Sequence, residues 1–226
     1  MKSDIEIQKN VIEEIQWDPQ LTKIASHIGV IVKNEVVTLS GDVDYYSQKL
    51  AAEKAAKRVK DVKVVAMDVE VKSASSSDLT DSKIAEAVRN ALTWHSAVNE
   101  DMINIKVEEG WVYLEGMVNW EYERKAAERA IENLRGVKGV INQVKIKERK
   151  VDATEVKKKI KAAFHRHATV DSANIKVDAS NGVVKLTGQV RSWAEWKDAA
   201  DVVWSMPGVT EVENKLEIEH ETYVGE

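Results

Sequence analysis

Three stretches of the chain repeat one device: Val36-Val37-Thr38-Leu39-Ser40-Gly41, Trp111-Val112-Tyr113-Leu114-Glu115-Gly116 and Val183-Val184-Lys185-Leu186-Thr187-Gly188. Successive strand side chains point to opposite faces, so Val37/Leu39, Val112/Leu114 and Val184/Leu186 form one buried row per copy, and the glycine is expected to release the chain from the strand. Twenty residues after each glycine stands a second mark: Asp61-Val62, Gly136-Val137 and Gly208-Val209. Copies two and three superimpose without a gap at an offset of 72, matching Ile84 with Val156, Leu92 with Phe164, Ile103 with Ile175 and Val144 with Leu216. Copy one follows at 75 from Ile28 onward and at 77 in its first helix, which leaves two extra residues around Asp18-Pro19, where a loop insertion costs little. A register of this kind makes the 226 residues a tandem array of three small units.

Each copy opens with apolar residues at helical spacing, such as Ile84, Val88 and Leu92, and Asp81 is the expected N-cap of the second such helix. Two alternating segments follow, joined by turns such as Glu108-Glu109-Gly110 and Ser180-Asn181-Gly182, and read as a β-hairpin. After the glycine a second helix is expected from Asp44, Asn119 or Ser192 as cap, with Ala52/Ala55, Ala127/Ala130 and Ala199 letting it lie close to the sheet. A third strand closes the unit at Val65–Val71, Val140–Ile146 and Val212–Ile218. The fold class is therefore α+β: three tandem α-β-β-α-β units, each a small three-stranded mixed sheet with two helices on one face.

The expected domains span 1–72, 80–147 and 153–220, with a Ser-rich linker at 73–79, a short charged linker at 148–152 and a tail at 221–226. Because Ser73-Ala74-Ser75-Ser76-Ser77 has the composition of a flexible spacer, copies two and three are expected to be the more closely positioned pair.

Acidic residues (38) outnumber basic ones (33), and a net charge of −5 argues against nucleic acid as a partner. With no cysteine the chain has no disulfide, thiolate nucleophile or sulfur-ligated metal. Met1–Glu6 carry no apolar run, so the chain as written reads as cytoplasmic, and as periplasmic if an export signal was removed before residue 1. No nucleophile–base pair, carboxylate dyad or phosphate loop stands out. His165-x-His167 is the nearest approach to a metal motif, but no matching ligands frame it and neither histidine recurs in the other copies. Neither an enzyme activity nor a cofactor is expected.

The helix, the V-x-L-x-G strand, the alanine-bearing helix and the G-V-x-x-V strand together resemble the BON domain, in three copies covering nearly the whole chain. Copy one departs from the pattern at Asp61, where the family usually has glycine. The resemblance implies a non-catalytic module of osmotic-shock and envelope-maintenance proteins, osmotically inducible protein Y among them, that binds phospholipid or attaches to membranes. Most known members are periplasmic or outer-membrane associated. An assembly scaffold, with possible self-association, is the alternative partner class. A cytoplasmic potassium sensor is a further one, because BON modules also occur in a potassium-binding protein.

Six of the seven tryptophans are placed by the repeat. Trp17 and Trp94 end the first helices, Trp111 begins a strand with Tyr113 on the same face, and Trp120, Trp193 and Trp196 lie with Tyr45, Tyr46 and Tyr122 where the second helices begin. Aromatic rings with polar tips suit a membrane interface or a protein partner. The candidate contacts are Trp111, Tyr113, Trp120, Tyr122, Trp193, Trp196, Tyr45 and Tyr46. Lys54, Lys57, Arg58 and Lys60 on one helix, and Lys157, Lys158 and Lys161 on another, are the candidate contacts for anionic head groups. Gly41, Gly116, Gly188, Gly136 and Gly208 are expected to serve turns. The outward strand residues differ most between copies, Val36/Thr38 against Trp111/Tyr113 against Val183/Lys185, and make copy two the expected contact unit.

Overall fold

The computed structural model describes residues 3–34, 36–72, 79–149 and 151–219. The Ser-rich linker, apart from Leu79, lies outside the described residues, as do His220 and the tail from 221.

Copy one consists of α1 (Asp4–Trp17), β1 (Ile28–Lys33), β2 (Val36–Val43), α2 (Tyr46–Arg58) and β3 (Val64–Val71). Copy two repeats the order as α3 (Asp81–Trp94), β4 (Ile103–Glu108), β5 (Trp111–Val118), α4 (Glu121–Ile131) and β6 (Gly139–Ile146). Copy three holds α5 (Ala153–Arg166), β7 (Ile175–Ser180), β8 (Val183–Val190), α6 (Trp193–Trp204) and β9 (Glu211–Ile218). In every sheet the V-x-L-x-G strand is central. It pairs antiparallel with the strand before it, and β2/β3 and β8/β9 pair in parallel. Ile7, Val11 and Ile15 of α1 and four alanines of α2 share one core with Val37, Leu39 and Val69, while copy three builds the equivalent core around Phe164, Ile160, Leu186 and Val203.

The glycines do not release the strands. Gly41, Gly116 and Gly188 are each followed by two more strand residues, ending on the buried Val43, Val118 and Val190. Each glycine has a positive φ, and a Cβ there would overlap the carbonyl oxygen of His27, Met102 or Asn174 just before the neighbouring strand. The residue is fixed by close backbone approach within the ladder. Asp61 adopts φ 74°, matching Gly136 (90°) and Gly208 (86°), so copy one keeps the turn despite its departure from glycine. A left-handed non-glycine residue is strained, so Asp61→Gly is expected to raise stability by about 0.5 kcal/mol after the entropy that glycine loses on folding. A small rise in urea midpoint at unchanged slope would show it.

Three expected cap assignments change. Tyr45 and Trp120, one residue later than expected, are the N-caps of α2 and α4. The side chain at the third helical position reaches back instead: Gln48 Oε1 accepts from the amides of Asp44 (2.9 Å) and Tyr45 (3.1 Å), and Glu123 from those of Asn119 (2.7 Å) and Trp120 (2.9 Å). Copy three does both, with Ser192 capping Glu195 and Glu195 accepting from Arg191 at 2.8 Å. Asp81 is likewise not the cap of α3, which is Thr80. Its carboxylate accepts from the hairpin amides of Glu109 (2.8 Å) and Gly110 (2.9 Å), as Asp4 does from Asn34 (3.0 Å). These clamps pin the start of each helix to the hairpin end of its copy.

The chain divides into two compact units, one from Lys2 to Lys145 containing copies one and two, the other beginning at Ile146 and containing copy three. The pair that shares a unit is thus the one joined by the Ser-rich stretch, contrary to the expectation from linker composition. The reason is a direct contact. The amide of Ser47, unpaired within the first turn of α2, donates to the carbonyl oxygen of Glu132 at the end of α4 (3.0 Å), so orphan groups of two helix ends satisfy each other. Tyr46 lies beside it against the Val140 backbone, and burial raises its hydroxyl pKa. Burial also raises the Glu132 carboxyl, opposed by Lys54. A carboxyl with a folded-state pKa above its unfolded value stabilises below the unfolded value and loses that contribution as pH rises through the folded one. Glu132→Gln is therefore expected to raise the urea midpoint at neutral pH, with the difference disappearing below about pH 4.

Candidate functional site

Aromatic and apolar residues gather at one end of copy two. Asp81 holds the start of α3 at the hairpin, and the helix lies along β4. Fourteen helical residues cover about 21 Å, the length of the adjacent six-residue strand, so Trp94 arrives at the opposite end. That end also holds Ile103 and its cross-strand partner Gly116, and with them Met102, Met117 and the first turn of α4. Trp94 is 87% exposed, Tyr122 59%, Met102 46% and Met117 46%. With Trp94 and Tyr122 on the helical layer and Met117 on the outward sheet face, these exposed side chains make an apolar rim of that end. The equivalent end of copy one carries Trp17, 83% exposed, but there Tyr46 and Ser47 are engaged with copy two. In copy three the tryptophan position is Arg166, whose guanidinium donates to the Ala162 carbonyl oxygen at 2.9 Å.

The other expected aromatic contacts are dispersed. Trp111 lies at the hairpin end of copy two, facing away from the helices as its parity requires, with its indole spread across Gly139 of β6. Tyr113 lies on the same face under the Lys106 ammonium, 5.2 Å from the ring centre. Trp120 is half-buried as the cap of α4, and Tyr45 is exposed at the start of α2. Trp193 and Trp196 meet edge to face at 5.6 Å, and Trp196 packs on the core of copy three. Trp94 ends a helix in the sequence without any sign of its exposure, and Met102 was not legible at all. Met117 shares the outward parity of Trp111 and Tyr113.

Several expected head-group lysines are committed elsewhere. Lys57 pairs with Glu53 at 2.6 Å, and Arg58 bridges Glu14 (2.7 Å) and Asp18 (3.0 Å), tying α2 to α1. Lys54 faces Glu132, and Lys60 also has a partner. In copy three Lys157 pairs with Asp178 at 2.8 Å, whereas Lys158 and Lys161 are exposed. In the first turn of α4 Glu121 is buried, 2.7 Å from Arg124, and burial raises its carboxyl pKa against the pull of that guanidinium. His165 Nδ1 meets Ser172 Oγ at 2.9 Å and His167 Nδ1 meets Thr169 Oγ1 at 3.4 Å. Among the described residues no group of three or more potential metal ligands assembles, and no helix is long and apolar enough to cross a membrane.

The model of the BON domain matches residues 3–73, 80–148 and 152–220. The chain belongs to the BON family. It is similar to osmotically-inducible protein Y of Escherichia coli (strain K12), 28% identical over 145 residues that make up 61% of this chain and 72% of that protein. Among solved structures it aligns with CdsD, a structural protein of the type III secretion system of Chlamydia trachomatis, at 16% identity over 95% of this chain and 92% of that one, with a TM-score of 0.27. The C-terminal domain of CdsD aligns over 97% of this chain and 100% of its own, also at 16% identity, with a TM-score of 0.28.

Proposed function

We propose that this BON protein is an osmotic-stress protein that binds phospholipid surfaces peripherally, through the apolar rim of copy two. The observation that carries the reading is the exposure of Trp94, Tyr122, Met102 and Met117 at one end of copy two, away from the Glu132 end that meets copy one. An indole, a phenol and two thioethers exposed at the same end are suited to the boundary between head groups and acyl chains, where the apolar ring is buried and the polar tip stays wet. The likeness to osmotically-inducible protein Y supports the stress context. Apolar insertion drives the association, so binding is insensitive to salt and does not require anionic lipid. Titrating zwitterionic and anionic vesicles into the protein tests this. A blue shift of tryptophan emission with both, retained at high salt, is expected; no shift and no co-sedimentation with either at low salt would remove the reading.

A further inference from the structure

Copy three contains an open cleft of about 410 Å³ between α5 and β7. Lys157 and Lys161, one helical turn apart on α5, and Lys176 on β7 line it together with His165 and Ser172, over the buried ring of Phe164. One carboxylate, Asp178, accompanies these three ammonium groups, 2.8 Å from Lys157 Nζ and held below the usual carboxylate range first by that lysine and then by Lys185 and Lys161. The cleft thus retains an excess of positive charge. At its other end the Ser172 hydroxyl, 2.9 Å from His165 Nδ1, adds a polar group suited to an oxyanion.

Copy one shows that a cleft of this kind is not a requirement of the fold. In copy one the positions of Lys157, Lys161 and Lys176 are Gln8, Ile12 and Gly29, and Gln8 spans the groove to donate to the Val30 carbonyl oxygen at 2.7 Å. The aspartate that clamps the helix to the hairpin in copies one and two is replaced by Ala153. Copy three has Lys157 where copy one has the groove-spanning glutamine and copy two has Ala85, and it lacks the aspartate clamp that the other two copies share.

We infer that the α5/β7 cleft of copy three is a binding site for a phosphate group, carried either by a soluble phosphomonoester or by a lipid head group. Several ammonium donors from two elements, with a hydroxyl beside them, match a dianion with several acceptor oxygens better than a single carboxylate. The inference does not rest on the apolar rim, which belongs to copy two. The test uses the full chain with inorganic phosphate as the soluble probe and phosphatidic acid vesicles as the lipid probe, against chloride at matched ionic strength. Saturable phosphate binding that falls about tenfold in Lys161→Gln/Lys176→Gln and tightens in Asp178→Asn identifies a soluble ligand. Phosphatidic acid binding that falls in the double variant, without soluble binding, identifies a lipid head group. Binding unchanged in these variants, binding matched by chloride, or no binding of either probe overturns the inference.

Discussion

Gly116→Val is expected to unfold copy two while leaving copy three folded. Gly116 has φ 142°, and a Cβ there would overlap the carbonyl oxygen of Met102, a backbone atom held by the β4–β5 ladder at the adjacent Ile103. That atom can yield only by breaking the pairing, and a β-branched residue at such a φ adds its own strain, so the combined cost is about 4 kcal/mol or more. A unit of this size has roughly 3–10 kcal/mol of stability in total. Gly29→Ala is the control, because its Cβ would approach only the mobile Ser40 hydroxyl at 2.9 Å, and its cost should stay below about 1 kcal/mol. Limited proteolysis of Gly116→Val should cut between 80 and 148 and spare 152–220. An intact copy two would show that the glycine is a dispensable strand end.

Trp94→Ser is expected to weaken vesicle binding by at least tenfold without lowering stability. Burying about 100 Å² of an indole in the interface is worth about 2.5 kcal/mol, a factor of roughly sixty in affinity. The side chain contributes little to the core, being 87% exposed, so its removal is not a folding defect. Serine at this site removes the apolar ring and leaves the charge unchanged.

The architecture was legible because its cause is local. A period of two in Val112/Leu114 and a period near four in Ile84/Val88/Leu92 determine which faces are buried, and three copies of the pattern reinforce one another. Function of individual polar residues was less legible. Asp81 stands where a cap should be, yet binds hairpin amides 28 and 29 residues away, and Gln48 and Glu123 displace the expected caps by bonding backwards. The glycines stand out in the sequence, but their role inside the ladder does not, because the obstructing carbonyl belongs to the residue before the paired strand and not to a local neighbour. The docking of copy one on copy two depends on a backbone carbonyl at Glu132, and a backbone atom leaves no mark in a sequence. Of the rim, only Tyr122 is marked by the sequence as a contact, because the exposure of each tryptophan depends on the packing around it.

Co-sedimentation of the unmodified protein, Trp94→Ser and Trp111→Ser with phosphatidylcholine vesicles tests the central claim most directly. Trp94 and Trp111 belong to the same copy but to opposite ends of it, about 16 Å apart along the sheet. The rim account predicts that the unmodified protein and Trp111→Ser bind alike and that Trp94→Ser loses at least tenfold in affinity. Equal binding by all three proteins, or a loss confined to Trp111→Ser, would contradict it.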